Sequence, residues 1–103
     1  MDRFDLTDRI ALITGASGLL GVEHAAALLE AGASVVMTDI NEKGLVKAYD
    51  ALLDSDNKER LYYKVMDVSS EKSIREVANE LEKDKHSVDI LINNAAIDPK
   101  VQK

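Results

Sequence analysis

The chain has 103 residues, of which 46% are hydrophobic and 31% are charged, and its formal net charge is -6. This composition predicts one globular domain with a small core and argues against nucleic acid or an anionic membrane surface as a partner. The chain has no cysteine, which excludes disulfides and thiolate metal sites. It also lacks a long apolar run and a signal-like N-terminus, and we expect it to be cytoplasmic.

The first third of the chain alternates strand and helix patterns. Residues 10–14 (IALIT) form an apolar run of strand length. A helix is predicted over residues 21–31 and ends at Gly32. Residues 35–38 predict a second strand. The apolar face of the helix is expected to consist of Val22, Ala25, Ala26, Leu28 and Leu29.

The pattern continues to the end of the chain. Asn41 can cap a helix that runs to about Leu53, with apolar positions Leu45, Ala48, Leu52 and Leu53. A solvated loop over residues 54–60 and a strand over 61–66 follow. Ser69 or Ser70 then caps a helix with apolar residues Ile74, Val77, Ala78 and Leu81. Residues 89–93 (DILIN) predict the fourth strand.

This alternation predicts an α/β fold, a Rossmann-type doubly wound parallel sheet of about four strands and three helices in the order 3-2-1-4. The first two helices should cover one face of the sheet and the third helix the other face. We expect residues 1–103 to form one dinucleotide-binding domain that is incomplete at its end. Its open sheet edge and half-covered face predict a homo-oligomer.

Three glycines follow the first strand at intervals of three residues, in the segment ITGASGLLG (residues 13–21). A phosphate-binding turn needs a sharp reversal, close backbone approach to the anion and tight packing of the next helix, and glycine permits all three. The helix that follows offers free N–H groups and a positive dipole end to a pyrophosphate. The alternative is a tight strand-to-helix turn that binds nothing.

An acid at the end of the second strand extends the pattern. Asp39 lies eighteen residues after Gly21, about where a dinucleotide fold places the carboxylate that accepts the adenosine ribose hydroxyls. Its alternative role is a turn or helix-capping aspartate. A carboxylate would repel a 2′-phosphate, and no cation at Ala16, Ser17 or Ile40 offsets this repulsion, so NAD is favoured over NADP.

Four motifs, taken in chain order, resemble those of the short-chain dehydrogenase/reductase family. They are TGASGLLG (14–21), Asp39, DVS (67–69) and NNAA (93–96), and they span almost the whole chain. Two departures are visible. The family's common TGxxxGxG is TGxxGxxG here, as in the branch that resembles sugar-nucleotide epimerases and dehydratases, and Ala96 replaces the glycine of NNAG. The branch therefore stays open.

The resemblance implies roles for individual residues. The pyrophosphate and nicotinamide ribose would be lined by Gly15, Ser17, Gly18, Leu19, Leu20 and Gly21. Asp39, with Ile40 beside it, would hold the adenosine ribose, and Asp67 with the Val68 amide would contact the adenine edge. The residues that would stabilise the sheet and lie against the cofactor are Asn93, Asn94, Ala95 and Ala96.

The resemblance also implies hydride transfer between a nicotinamide cofactor and a small-molecule alcohol or carbonyl, catalysed by a serine and a YxxxK motif. None of Tyr49, Tyr62 and Tyr63 has a lysine four residues later. We therefore expect a chain that carries the cofactor-binding part only, with no catalytic residue, and is inactive alone. A non-catalytic dinucleotide-binding module and a methyltransferase are the alternatives. The isolated His24 and His86 suggest no metal site.

Overall fold

The computed structural model of the chain describes residues 5–94. Four strands and three helices alternate within them. In chain order they are β1 (Ile10–Thr14), α1 (Leu19–Glu30), β2 (Ser34–Asp39), α2 (Glu42–Leu52), β3 (Leu61–Val65), α3 (Glu71–Lys83) and β4 (Ile90–Asn93).

The strands form one parallel sheet in the order β3-β2-β1-β4, which confirms the predicted topology. Leu12 of β1 pairs with Val36 of β2 on one side and with Leu91 of β4 on the other. Val36 in turn pairs with Tyr62 of β3. Because all four strands are parallel, their carboxyl ends lie along a single edge of the sheet, where ligands bind in open α/β folds.

Helices α1 and α2 cover one face of the sheet, as predicted. The buried residues of this layer are Ile13, Ala16, Ala25, Leu29, Val35, Met37, Leu45, Ala48 and Leu61. Ala26 was expected on the apolar face of α1 but is exposed, because the buried stripe runs at four-residue spacing through Gly21, Ala25 and Leu29. Because Gly21 and Ala25 are small, α1 packs closely against the sheet along this stripe.

Helix α3 alone covers the opposite face among the described elements. Its buried residues Val77 and Leu81 pack with Leu12, Val36 and Met66. Ile74 remains 41% exposed and Leu91 of β4 remains 64% exposed, because one helix does not reach across the whole sheet. Ala78 is also exposed. An apolar groove of about 700 Å³ therefore runs between α3 and β4.

The ends of the helices follow the predicted signals. The φ of Gly32 is 100°, and its amide donates to the Leu29 carbonyl while the Ala33 amide donates to the Leu28 carbonyl. These two hydrogen bonds form the Schellman motif, which favours glycine at the residue with the left-handed conformation. The side chains of Asn41 and Ser70 cap α2 and α3 by accepting from the amides three residues later.

Other predictions about local structure also differ from the result. Helix α1 begins at Leu19, two residues earlier than predicted, because Gly18 already takes the extended cap conformation. The loop over residues 54–60 is not fully solvated, since Asn57 is only 6% exposed. Its side chain donates to the Leu52 carbonyl and accepts from the Asp54 amide, and these bonds satisfy a buried amide group.

No helix in residues 5–94 combines the length and the apolar character that crossing a membrane requires.

Candidate functional site

The loop between β1 and α1 lies at the carboxyl edge of the sheet, next to the end of β2. The Ala16 amide donates to the Thr38 carbonyl at 2.9 Å, which attaches this loop to β2. The Gly18 amide donates to the Gly15 carbonyl at 3.3 Å and closes the turn. We call this part of the carboxyl edge, where the glycine loop lies directly beside Asp39, the crevice.

The first turn of α1 presents backbone donors at this crevice. The amides of Leu19, Leu20 and Gly21 are the first three of the helix, and helix geometry gives such amides no acceptor within the helix. The cap residue Gly18 has no side chain to accept from them, and the first turn contains no acidic residue. The positive end of the helix dipole is thus available to an anion.

The second and third glycines of the loop differ in whether the fold requires a glycine. A Cβ on Gly21 would stand 2.7 Å from the Gly15 carbonyl oxygen and 2.8 Å from the Ala16 Cα, so the fold itself requires glycine there. A Cβ on Gly18 would meet only the Gly15 oxygen, at the ordinary distance of 3.7 Å. The fold does not require glycine at position 18, whereas close approach of a ligand to its backbone would. The bare backbone at Gly18 would allow a pyrophosphate to approach it closely.

Asp39 is bound to the same loop. Its Oδ2 atom accepts from the Ser17 hydroxyl at 2.7 Å and from the Ser17 amide at 3.0 Å, and its Oδ1 accepts from the Asn41 amide at 3.0 Å. Partial burial opposes ionisation, but hydrogen bonds from Asn41, from Ser17 and from the Ile40 amide lower the pKa of Asp39 below its ordinary value of 3.8. The carboxylate is thus charged and held in one orientation at neutral pH.

Asn41, rather than Asp39, is the residue that caps α2. The side-chain oxygen of Asn41 accepts from the Gly44 amide at 3.1 Å and caps α2. Asp39 instead contacts the glycine loop, 22 positions earlier in the chain. Ile40, which lies between Asp39 and Asn41 in the chain, is 64% exposed.

Asp67 and Val68 follow β3 at the same edge. The Asp67 Oδ1 accepts from the Ser69 hydroxyl at 2.7 Å and from the Ser69 amide at 2.9 Å. These bonds lower the pKa of the exposed Asp67 carboxyl. The Val68 side chain is 37% exposed and lines the groove between α3 and β4. Their contact with an adenine edge stays a prediction.

The end of β4 is joined to the end of β1. The Thr14 hydroxyl donates to the Asn93 side-chain oxygen at 2.8 Å and accepts from the Asn94 amide at 3.0 Å. The Asn94 side chain also donates to the Gly15 carbonyl at 3.4 Å, at the start of the glycine loop. The predicted Ala95 and Ala96 lie outside the described residues.

Two residues of this edge were absent from the predicted site. Thr14 was part of the TGASGLLG motif, and its place at the end of β1 was the available signal for its contact with Asn93 and Asn94. Asn41 was predicted only as a helix cap, and the bond from its amide to Asp39, two residues earlier, is the turn role that was the alternative for Asp39.

Comparisons with known proteins agree with this arrangement. A model of the family described as short chain dehydrogenase matches residues 9–103. The chain is 38% identical over 92 residues to the short chain dehydrogenase/reductase dpfgG of Gibberella zeae, covering 89% of this chain and 33% of that protein. It is 34% identical over 94 residues to the NAD-dependent glycerol dehydrogenase of Listeria innocua, covering 91% of this chain and 35% of that protein.

A solved structure shows the same fold. The N-domain of a bacterial malonyl-CoA reductase with NADP has a TM-score of 0.80 and 36% identity, covering 89% of this chain and 17% of that chain. The chain spans about a third of the length of the two curated relatives. Because the family match extends over nearly all of the sequence and the sheet has the same architecture, this chain belongs to the short-chain dehydrogenase family.

Proposed function

We propose that this chain is the cofactor-binding part of an NAD(P)-dependent oxidoreductase that transfers hydride between a nicotinamide dinucleotide and an alcohol or carbonyl substrate. The first-turn amides of α1 would bind the pyrophosphate, and Asp39 would bind the adenosine ribose. When bound, the dinucleotide supplies the hydride acceptor or donor. Asp67, Val68 and residues 93–96 are proposed to line the adenine and nicotinamide ends.

The observation that carries this proposal is the contact between Ser17 and Asp39. The 2.7 Å bond from the Ser17 hydroxyl places a carboxylate directly against the loop that precedes the uncapped helix. A group of donors for an anion and an acceptor for hydroxyls therefore share one crevice. A dinucleotide carries the complementary groups in the same order, because its anionic pyrophosphate adjoins a ribose whose two hydroxyls can donate.

We propose NAD rather than NADP as the cofactor. The charge on Asp39 opposes a 2′-phosphate, and the neighbouring Ala16, Ser17, Ile40 and Asn41 supply no cation. The relatives include both an NAD-dependent glycerol dehydrogenase and a domain solved with NADP, so the preference rests on the residues of this crevice.

Calorimetric titration of the chain with NAD and NADP tests the binding step. We expect NAD to bind and NADP to bind at least about tenfold more weakly, because a phosphate beside a fixed carboxylate is repelled. Absence of NAD binding would overturn the cofactor assignment.

The match to longer dehydrogenases further predicts a Tyr-x-x-x-Lys motif in the gene that encodes this chain, which sequencing of that gene would check.

A non-catalytic dinucleotide-binding protein is the second candidate. Such a protein would need only the glycine loop and Asp39, which would bind the dinucleotide without carrying out chemistry on it. NAD binding without hydride transfer to a panel of carbonyls, by the product of the whole gene, would select this candidate. Hydride transfer by that product would exclude it.

We also propose a cytoplasmic homo-oligomer. The apolar groove, with Leu91 64% exposed and Val88 42% exposed, supports self-association. Sedimentation of the chain at several concentrations should show a mass above 11.3 kDa that falls on dilution. A monomer at all concentrations would contradict this assembly.

A further inference from the structure

We propose that Gly44 is a positioning residue for Asp39, because its missing side chain lets the first turn of α2 lie against the glycine loop, and these two segments together hold the carboxylate. This inference rests on the proposed function, in which Asp39 binds the adenosine ribose. It adds a residue of α2 to the site and concerns where the carboxylate is held, whichever dinucleotide binds there.

The conformation of α2 does not itself require glycine at residue 44. Among residues 5–94, the glycines with a left-handed backbone are Gly15 and Gly32, so Gly44 has a conformation that other residues adopt readily. Gly44 is the third residue of α2, and glycine in a helix is less favourable than alanine because it loses more backbone freedom on folding. The reason for glycine must therefore lie outside the helix backbone.

The neighbours of Gly44 supply that reason. A Cβ atom on residue 44 would stand 2.9 Å from the Nδ2 atom of Asn41 and 3.1 Å from the Cβ atom of Ser17. Both distances are shorter than the contact of about 3.5–4.0 Å that non-bonded carbon atoms prefer. Asn41 is the cap of α2, and Ser17 belongs to the glycine loop. A methyl group at residue 44 would therefore press on both segments.

The same two neighbours are the residues that hold Asp39. Ser17 donates to Oδ2 from its hydroxyl at 2.7 Å and from its amide at 3.0 Å, and the Asn41 amide donates to Oδ1 at 3.0 Å. The Asn41 side chain in turn accepts from the Gly44 amide at 3.1 Å. The space at Gly44 thus lies against both residues that fix the carboxylate.

Rotation of one side chain would not accommodate an alanine at residue 44. The Asn41 side chain can turn away, although it then gives up its bond to the residue 44 amide. The Cβ atom of Ser17 is fixed to the backbone, so the glycine loop itself must move by a few tenths of an ångström. This movement lengthens the bonds from Ser17 to Asp39. Because those bonds favour the charged form, the pKa of Asp39 should rise towards its ordinary value.

The variant Gly44→Ala tests this role with two measurements. Calorimetric titration should show that the affinity for NAD falls by about threefold to tenfold, because the carboxylate is no longer held in place for the ribose. The Asp39 carboxyl resonance, followed by NMR against pH without any dinucleotide, should titrate at a higher pH than in the unmodified chain.

The matched control makes the same exchange at an exposed residue of α2. Lys47→Gly and Lys47→Ala place the two residues about one turn further along the helix. The alanine variant should resist urea better than the glycine variant, as helix propensity predicts, and the two should have equal NAD affinity and equal Asp39 titration. At residue 44, alanine should raise the urea midpoint less than at residue 47, or lower it. An equal gain at both residues would overturn the inference.

The remaining outcomes also decide the inference. An unchanged Asp39 midpoint in Gly44→Ala would overturn it, as would unchanged NAD affinity in that variant. A Gly44→Ala chain that no longer folds, judged by circular dichroism, would also overturn it, because residue 44 would then serve the fold and not the placement of Asp39. No NAD binding by the unmodified chain would overturn the proposed function, whereas the Asp39 titration would still decide whether Gly44 positions this carboxylate.

Discussion

The Gly15 carbonyl oxygen lies 2.7 Å from the point that a Cβ atom on Gly21 would occupy. The loop and the first turn of α1 can therefore meet at this distance only because residue 21 has no side chain. The same contact brings the amides at the start of the helix close to the end of β1. The missing side chain at residue 21 thus explains both the close packing of the loop on α1 and the position of the first-turn amides.

Gly21→Ala should destabilise the chain by about 1–3 kcal/mol, because the new methyl group would press on backbone atoms that have no rotamer to change. Urea unfolding followed by circular dichroism would measure the loss. Gly18→Ala is the control, since its Cβ would lie at an ordinary 3.7 Å from the Gly15 oxygen, and it should cost less. Equal losses in the two variants would contradict the close contact at residue 21.

Gly18→Ser should separate stability from binding. Gly18 takes the extended conformation of a cap residue, and serine there can accept from the free first-turn amides. We expect the free energy of unfolding to rise by a few tenths of a kcal/mol. The affinity for NAD should fall by about tenfold, because the serine oxygen competes with the pyrophosphate for the same donors.

The control for this variant is Ser70→Asn, an exchange of one good cap residue for another at α3. It should leave NAD affinity unchanged. Calorimetry and thermal unfolding on both variants provide the comparison. Undiminished NAD affinity in Gly18→Ser would mean that the pyrophosphate does not bind at the start of α1.

Lys85→Gly should stabilise the chain. Lys85 follows α3 with a φ of 62°, in the left-handed region, and its amide donates to the Glu82 carbonyl while the His86 amide donates to the Leu81 carbonyl. This is a Schellman motif with lysine at the position that favours glycine. We expect a gain of about 0.5–1 kcal/mol, measured by urea unfolding.

Lys83→Gly is the matched control for this gain. Lys83 is the last residue of α3, where glycine lowers helix stability by about 1 kcal/mol. The same substitution two positions apart should therefore have opposite signs. Destabilisation by Lys85→Gly would show that the left-handed conformation causes no strain at that residue.

Asp39 should make stability depend on pH in the acid range. Its pKa in the folded chain is below the ordinary 3.8, so the folded state binds fewer protons than the unfolded state as the pH falls. The stabilisation is complete above pH 3.8 and is lost progressively as the pH falls through the lowered value. Urea unfolding between pH 2.5 and 6 should show that the free energy of unfolding of the unmodified chain decreases as the pH falls. This decrease should be smaller in Asp39→Asn. Parallel curves for the two proteins would contradict the lowered pKa.

Local sequence patterns determined the secondary structure and the order of the strands. Apolar runs of strand length, the cap signals at Asn41 and at Ser69 or Ser70, and the stop at Gly32 are properties of a few neighbouring residues. The structure confirms these signals, with Ser70 as the cap of α3. The strand order 3-2-1-4 was predicted from the doubly wound pattern of alternating strands and helices, and the structure confirms it. The glycine spacing and the acid at residue 39 likewise indicated the carboxyl edge as the candidate site.

The tertiary structure alone decided which side chains meet at that edge. Ser17 and Asp39 are 22 positions apart, and Thr14 and Asn93 are 79 apart, so neither contact leaves a local pattern in the chain. Asn57 belongs to a polar stretch and is nevertheless buried, because its amide finds backbone partners. The physical reason is the same in each case. Secondary structure depends on near neighbours, whereas the direction of a hydrogen bond between distant residues depends on how the packed elements orient their side chains.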